Sequence, residues 1–258
     1  MSRKIKWPGE SRRYAQLQQN DVDKEFVYGE DVNLVLRHVL PSEFLSSFPV
    51  TGCGMDVLDV GSGIGRAVYH MHKQWVDARY WLLDGEGEKQ HAGINHMLKD
   101  DTFYSNAIET AYFLRANGVN NFFQIRYNLK PTMEFLAELT DQQIEVMNSP
   151  MVVEWGFVGA TGVTFDLVTS FRAVGFHWPM HPMLDLLADV TVGGSILLFE
   201  SRPLSRRAYL SNERWNAGRE LVIAELKAIA DHGCWDLLLF KHIRVGPHLR
   251  SYVLAERL

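Results

Sequence analysis

Short apolar runs of strand length alternate with helical stretches five times along this chain, and that alternation limits the fold more than any other feature. The runs are MDVLDVG (55–61), ARYWLLDG (78–85), NFFQIRYN (121–128), TFDLVTS (164–170) and SILLFES (195–201). Helical stretches between them include RAVYHMHKQW (66–75), SNAIETAYFLRANGV stopped by Gly118, TMEFLAELTDQQIEVM, and PMLDLLADV closed by Gly193-Gly194. Repeated strand–helix–strand units cross over with one hand and build a parallel sheet covered on both faces. A longer helix over 212–232 keeps Trp215, Val222, Leu226 and Ile229 on one stripe and ends at Gly233. CWDLLLFKHI and RSYVLAERL then follow each other through RVGPHL with no helix between them, which predicts an antiparallel hairpin. The expectation is an α/β fold: a seven-stranded, mostly parallel sheet with helices on both faces and a C-terminal antiparallel hairpin.

The flanks of this pattern are less regular. The first 20 or so residues are polar and broken by Pro8 and Gly9, whereas DVNLVLRHVLPSEFL places Val32, Val35, Leu36 and Val39 on one helical face ended by Pro41. Residues 129–164 contain a loop-like GFVGATG after their helical stretch. We therefore expect one domain over 1–258, with residues 1–50 as an N-terminal helical cap or lid and 129–164 as an insertion.

Composition removes several classes of function. Apolar residues make up 47% and charged residues 22%, as in an ordinary soluble globular protein. The net charge of −5 disfavours a nucleic-acid partner, whose phosphates need a basic surface. Cys53 and Cys234 are single and far apart, which fits a reducing, cytoplasmic setting rather than a disulfide framework. No run reaches the roughly 18 apolar residues of a membrane helix, and the basic start lacks the apolar centre of a secretory signal.

Within LDVGSGIGRAV (58–68), three glycines recur at every second position directly after the first strand. In an open α/β sheet the ligand binds beyond the carboxyl ends of the strands, where such a loop would lie. A dinucleotide loop of G-x-G-x-x-G form, counted from Gly61 and Gly63, wants glycine where Arg66 stands. The chain instead has D-x-G-x-G-x-G, made of Asp59, Gly61, Ser62, Gly63 and Gly65 among its members. The second strand ends on Asp84-Gly85, an acidic strand end 19 residues after Gly65.

These residues resemble the first motif of class I S-adenosylmethionine-dependent methyltransferases, and the resemblance implies a Rossmann-like sheet with that cofactor. In the family the loop curls under the cofactor's amino-acid end and the strand-end carboxylate, here Asp59, helps hold its ammonium group, while an acidic residue ending the second strand, here Asp84, accepts from the two ribose hydroxyls. The family's acidic adenine contact after the third strand is missing, with Asn128 as the hydrogen-bonding substitute. Ser170 and Phe171, ending the fourth strand, would face the methyl group.

SFRAVGFHWPMHP (170–182) stands where base N-methylases carry D/N-P-P-Y/F, which argues against that chemistry more strongly than the net charge does. It is similar to the corresponding stretch of sugar O-methyltransferases within class I, matching at Ser170, Gly175, Phe176, His177, Trp178 and Pro179. A neutral hydroxyl is a poor nucleophile, and histidine near its ordinary pKa suits the removal of its proton. His177 is the expected base, while Phe176, Trp178 and His181 are expected at the acceptor. His177, His181 and Asp185 are spaced four apart, but Pro179 and Pro182 would interrupt a helix through them, so no metal site is expected. In 200–220 five arginines face three glutamates, and Arg206 and Arg207 would suit a phosphorylated acceptor. The expected partner is a small molecule, carbohydrate-like or phosphorylated. Methylation of another metabolite or of a protein side chain, and an inactive cofactor-binding subunit, are the alternatives.

Overall fold

The structure, a computed structural model, describes residues 32–84, 107–126, 152–154, 162–171, 180–201, 212–245 and 248–258. Among the described residues there are eight strands: β1 Asp56–Val60, β2 Arg79–Asp84, β3 Phe122–Arg126, β4 Val152–Glu154, β5 Phe165–Ser170, β6 Thr191–Ser201, β7 Trp235–Val245 and β8 His248–Arg257. They form one sheet in the order β4-β3-β2-β1-β5-β6-β8-β7. Every neighbouring pair is parallel except β6–β8 and β7–β8, so β8 alone runs against the others. The sheet thus contains the seven expected strands and the expected hairpin, extended by the three-residue edge strand β4 within 129–164. Three residues are too few to show a period, so the sequence carries no strand signal there.

Helix α1 spans 32–38, followed by α2 Ser42–Ser46, α3 Arg66–His72, α4 Ala107–Ala116, α5 Met180–Ala188 and α6 Asn212–Asp231. Alternate strand residues feed two cores. Val57, Leu82, Leu167, Leu198 and Leu254 face α1, α3 and α4 through Val35, Val68, Phe113 and Leu114. Leu58, Trp81, Val168, Leu197 and Val253 face α5 and α6 through Leu184, Leu187 and Ile229. β1 is buried on both faces, so Val57, Leu58 and Val60 are apolar whichever face they take, while Asp56 and Asp59 stand near its two ends. The N-terminal stripe Val32, Val35, Leu36 and Val39 is buried as its spacing predicts, and Pro41 stands at the start of α2.

Gly193-Gly194 does not close α5, contrary to the expectation. The Val190 N–H and the Thr191 hydroxyl both donate to the Leu187 carbonyl, at 3.2 and 2.7 Å, and turn the chain straight into β6. Both glycines lie within β6, where pairing with β5 shifts from Phe165↔Thr191 to Leu167↔Ile196. The extra residues bulge, and the Ser195 hydroxyl accepts from the Val192 N–H at 3.0 Å. The helical stretch 132–147 and the first 31 residues lie outside the described residues. Among the described residues no helix is long and apolar enough to cross a membrane.

Candidate functional site

The strand order reverses between β1 and β5, and the glycine loop leaves β1 at that point. Gly61 and Ser62 both donate their N–H groups to the Leu83 carbonyl, at 2.7 and 3.3 Å, which ties the loop to the end of β2. The Gly65 N–H donates to the Ser62 carbonyl at 2.9 Å, and the Gly65 carbonyl accepts from Tyr69 to start α3. Gly61, Gly63 and Gly65 all have positive φ, at 70, 53 and 82°. Their neighbours differ. A Cβ on Gly65 would meet Leu114 at 3.0 Å and Leu82 at 3.1 Å, whereas one on Gly63 would meet no described residue within 4 Å. Gly65 therefore performs the close helix–strand packing that a dinucleotide loop assigns to its third glycine, and Gly63 is clear of the other described residues.

Asp59, the penultimate residue of β1, is buried, and its Oδ1 accepts from the Thr169 hydroxyl at 2.8 Å. The two are register partners in adjacent parallel strands, and Thr169 is likewise penultimate in β5. Thr169 belongs to no motif in the sequence. The only available signal was that two strand ends of equal depth bring their penultimate residues level. Asp84 closes β2 in register with Arg126, and Ser170 closes β5, fully buried, with Phe171 packed against the α1/α3/α4 core. Asp59, Gly61, Ser62, Gly63, Gly65, Asp84, Ser170 and Phe171 are thus gathered along the carboxyl ends of β1, β2 and β5.

Gly85, Asn128, Phe176, His177, Trp178, Arg206 and Arg207 lie outside the described residues. His181 is the second residue of α5 and largely exposed, with its Nδ1 3.5 Å from Asp185 Oδ2. Asp185 Oδ1 also pairs with His232 Nε2 at 3.0 Å, joining α5 to the end of α6. The expected interruption by Pro182 does not occur. Pro182 falls in the first turn of α5, where its missing N–H breaks no helical bond, so His181 and Asp185 do share a helix face. Among the described residues, no three His, Cys, Asp or Glu side chains are arranged to hold a metal ion.

No family model matches the chain, and neither does any curated protein. Solved structures do. A SAM-dependent methyltransferase from Aquifex aeolicus superposes with a TM-score of 0.52 at 15% identity, covering 96% of this chain and all of that one (100%). The fold is that of a class I methyltransferase. Two further structures with the methyltransferase fold are similar at lower scores. Magnesium protoporphyrin IX methyltransferase from Synechocystis with bound SAM has a TM-score of 0.48 at 16% identity, covering 96% of this chain and 88% of that chain. An O-methyltransferase from Bacillus cereus in complex with SAH has a TM-score of 0.46 at 11% identity, covering 95% and 96%. In the methyltransferase fold of this chain, the added β4 lies at the far edge of the β3 side, three strands from β1.

Proposed function

We propose that the chain is an S-adenosylmethionine-dependent methyltransferase acting on a hydroxyl of a small carbohydrate-like or phosphorylated acceptor. The observation that carries the reading is the glycine loop: it follows the buried Asp59 at the end of β1, is tied to β2, is backed by Leu114, and has no described residue over Gly63. This donor set fits the proposed cofactor. A strand-end carboxylate suits an ammonium group, and a glycine that no described residue covers admits a ligand to the backbone.

When bound, the sulfonium supplies an already activated methyl group. In this reading Asp59 holds the ammonium and loop N–H groups the carboxylate. Thr169, through its bond to Oδ1, keeps the Asp59 carboxylate oriented. Asp84 accepts from the ribose hydroxyls, and Asn128 contacts adenine. Ser170 and Phe171 stand where the methyl group is presented. His177 removes the hydroxyl proton as the oxygen attacks, and Phe176 and Trp178 wall off the reacting atoms. Arg206 and Arg207 serve a phosphorylated acceptor. Orientation of the two reactants supplies most of the acceleration, so the chain's main task is positioning.

The acceptor class is tested with methyl-labelled S-adenosylmethionine and a panel of sugars, sugar phosphates and nucleotide-linked sugars. We expect label in a methyl ether. His177→Ala should lower turnover by about 10²- to 10⁴-fold with cofactor affinity unchanged. Label on nitrogen or on a carboxylate would overturn the O-methylation reading, and unchanged turnover in His177→Ala would remove the base.

A further inference from the structure

We propose that Thr110 is a positioning residue for the cofactor's amino-acid end, acting through the glycine loop. The inference rests on the S-adenosylmethionine reading above. Thr110 sits on α4, is 3% exposed, and donates its hydroxyl to the Gly63 carbonyl at 3.2 Å. Threonine is a mediocre helix former, and inside a helix its hydroxyl commonly turns back onto its own preceding turn. Here it reaches across to a loop 47 residues earlier in the chain. One helical turn later, Leu114 fills the space beneath Gly65. Helix α4 is therefore the floor of the loop, gripping it at two points.

The grip has a direction. The chain has no cis peptide bond among its described residues, so the Gly63 carbonyl and the Ile64 N–H point to opposite sides of one peptide plane. Holding the carbonyl down onto α4 keeps the Ile64 N–H turned away from it. The neighbouring bonds restrain other parts of the loop: Gly61 and Ser62 onto Leu83, and Gly65 onto Ser62. Among the described residues, Thr110 is the side chain that bonds to the Gly63–Ile64 peptide. The peptide resists rotation poorly by itself, because Gly63 has broad backbone freedom and a face that no described residue covers. Without the hydroxyl, this peptide can rotate and present its carbonyl where a ligand carboxylate would bind. The effect is confined to the ligand's amino-acid end and leaves its adenosine contacts intact.

The test is calorimetric titration of the full chain, as wild type, Thr110→Val and Thr110→Ser, with two probes. S-adenosylhomocysteine carries the amino-acid end, and 5′-methylthioadenosine lacks it. Thr110→Val should weaken S-adenosylhomocysteine about five- to tenfold, as the loss of one positioned hydrogen bond implies, and leave methylthioadenosine within about twofold. Thr110→Ser should restore wild-type affinity. Equal weakening of both probes, or no weakening of either, overturns the positioning role. If Thr110→Val fails to fold, as its ligand-free unfolding midpoint would reveal, Thr110→Ala replaces it in the same two-probe comparison. Wild-type protein that binds neither probe overturns the cofactor reading itself, which separates that failure from the failure of the role assigned to Thr110.

Discussion

Gly63 and Gly65 lie two residues apart in one loop and answer to different demands. Both hold positive φ, which costs an alanine about 1–2 kcal/mol. Only Gly65 also faces Leu114 and Leu82, at 3.0 and 3.1 Å from an added Cβ. Gly65→Ala should therefore lose about 2–4 kcal/mol of stability, strain and overpacking together, and Gly63→Ala only about 1–2. Urea unfolding midpoints read the difference, and equal losses would contradict the packing role of Gly65. At this scale the sequence was legible where the chemistry is contiguous: Asp59 and the three glycines fall in seven residues and were found there. Thr169 and Thr110 were not, because each is an unremarkable threonine until register or packing brings it to the loop.

The elements separate a ligand edge from a structural edge. At the amino ends of the strands, opposite the loop, Asp56 opens β1 and Arg79 opens β2, and the two form an ion pair. Asp166, second in β5, accepts the Asp56 N–H at 2.8 Å. Burial, with the nearby Asp56 charge adding to it, raises the Asp166 pKa despite that hydrogen bond and Arg79. A carboxyl whose folded pKa lies above its unfolded value binds protons more tightly in the native state. Stability is then lost as pH rises from the ordinary carboxylate range through the raised value. Asp166→Asn keeps an oxygen for the Asp56 N–H and removes the ionisation penalty. Its melting temperature should exceed that of wild type by on the order of 2 °C near pH 7, with the gap closing near pH 3. A gap that widens towards acid would contradict the assignment. Strand and helix existence was legible at this scale through periodicity, but terminations were not. Thr191 ended α5 with a hydroxyl that glycine-based punctuation does not predict, Pro182 entered the first turn of the helix, and β4 was too short to show a pattern.

Across the whole molecule, two cores clamp one sheet from opposite sides, and the point where strand order reverses is left for the ligand. The alternation of strands and helices contains that architecture, since handed crossovers allow few others. It does not contain the position of β8, which slips between β6 and β7 through hydrogen bonding that hydrophobic pattern cannot encode. The acceptor side is the least legible part, because acceptor contacts are drawn from connecting segments rather than from periodic ones. The cofactor side is bound to the sheet itself, and the functional reading stands on it. Calorimetric titration of the purified chain with S-adenosylmethionine, S-adenosylhomocysteine and NAD tests that reading most directly. Saturable binding of the first two, in the micromolar range, and none of NAD is the expected result. Binding of NAD alone, or of none of the three, would contradict it.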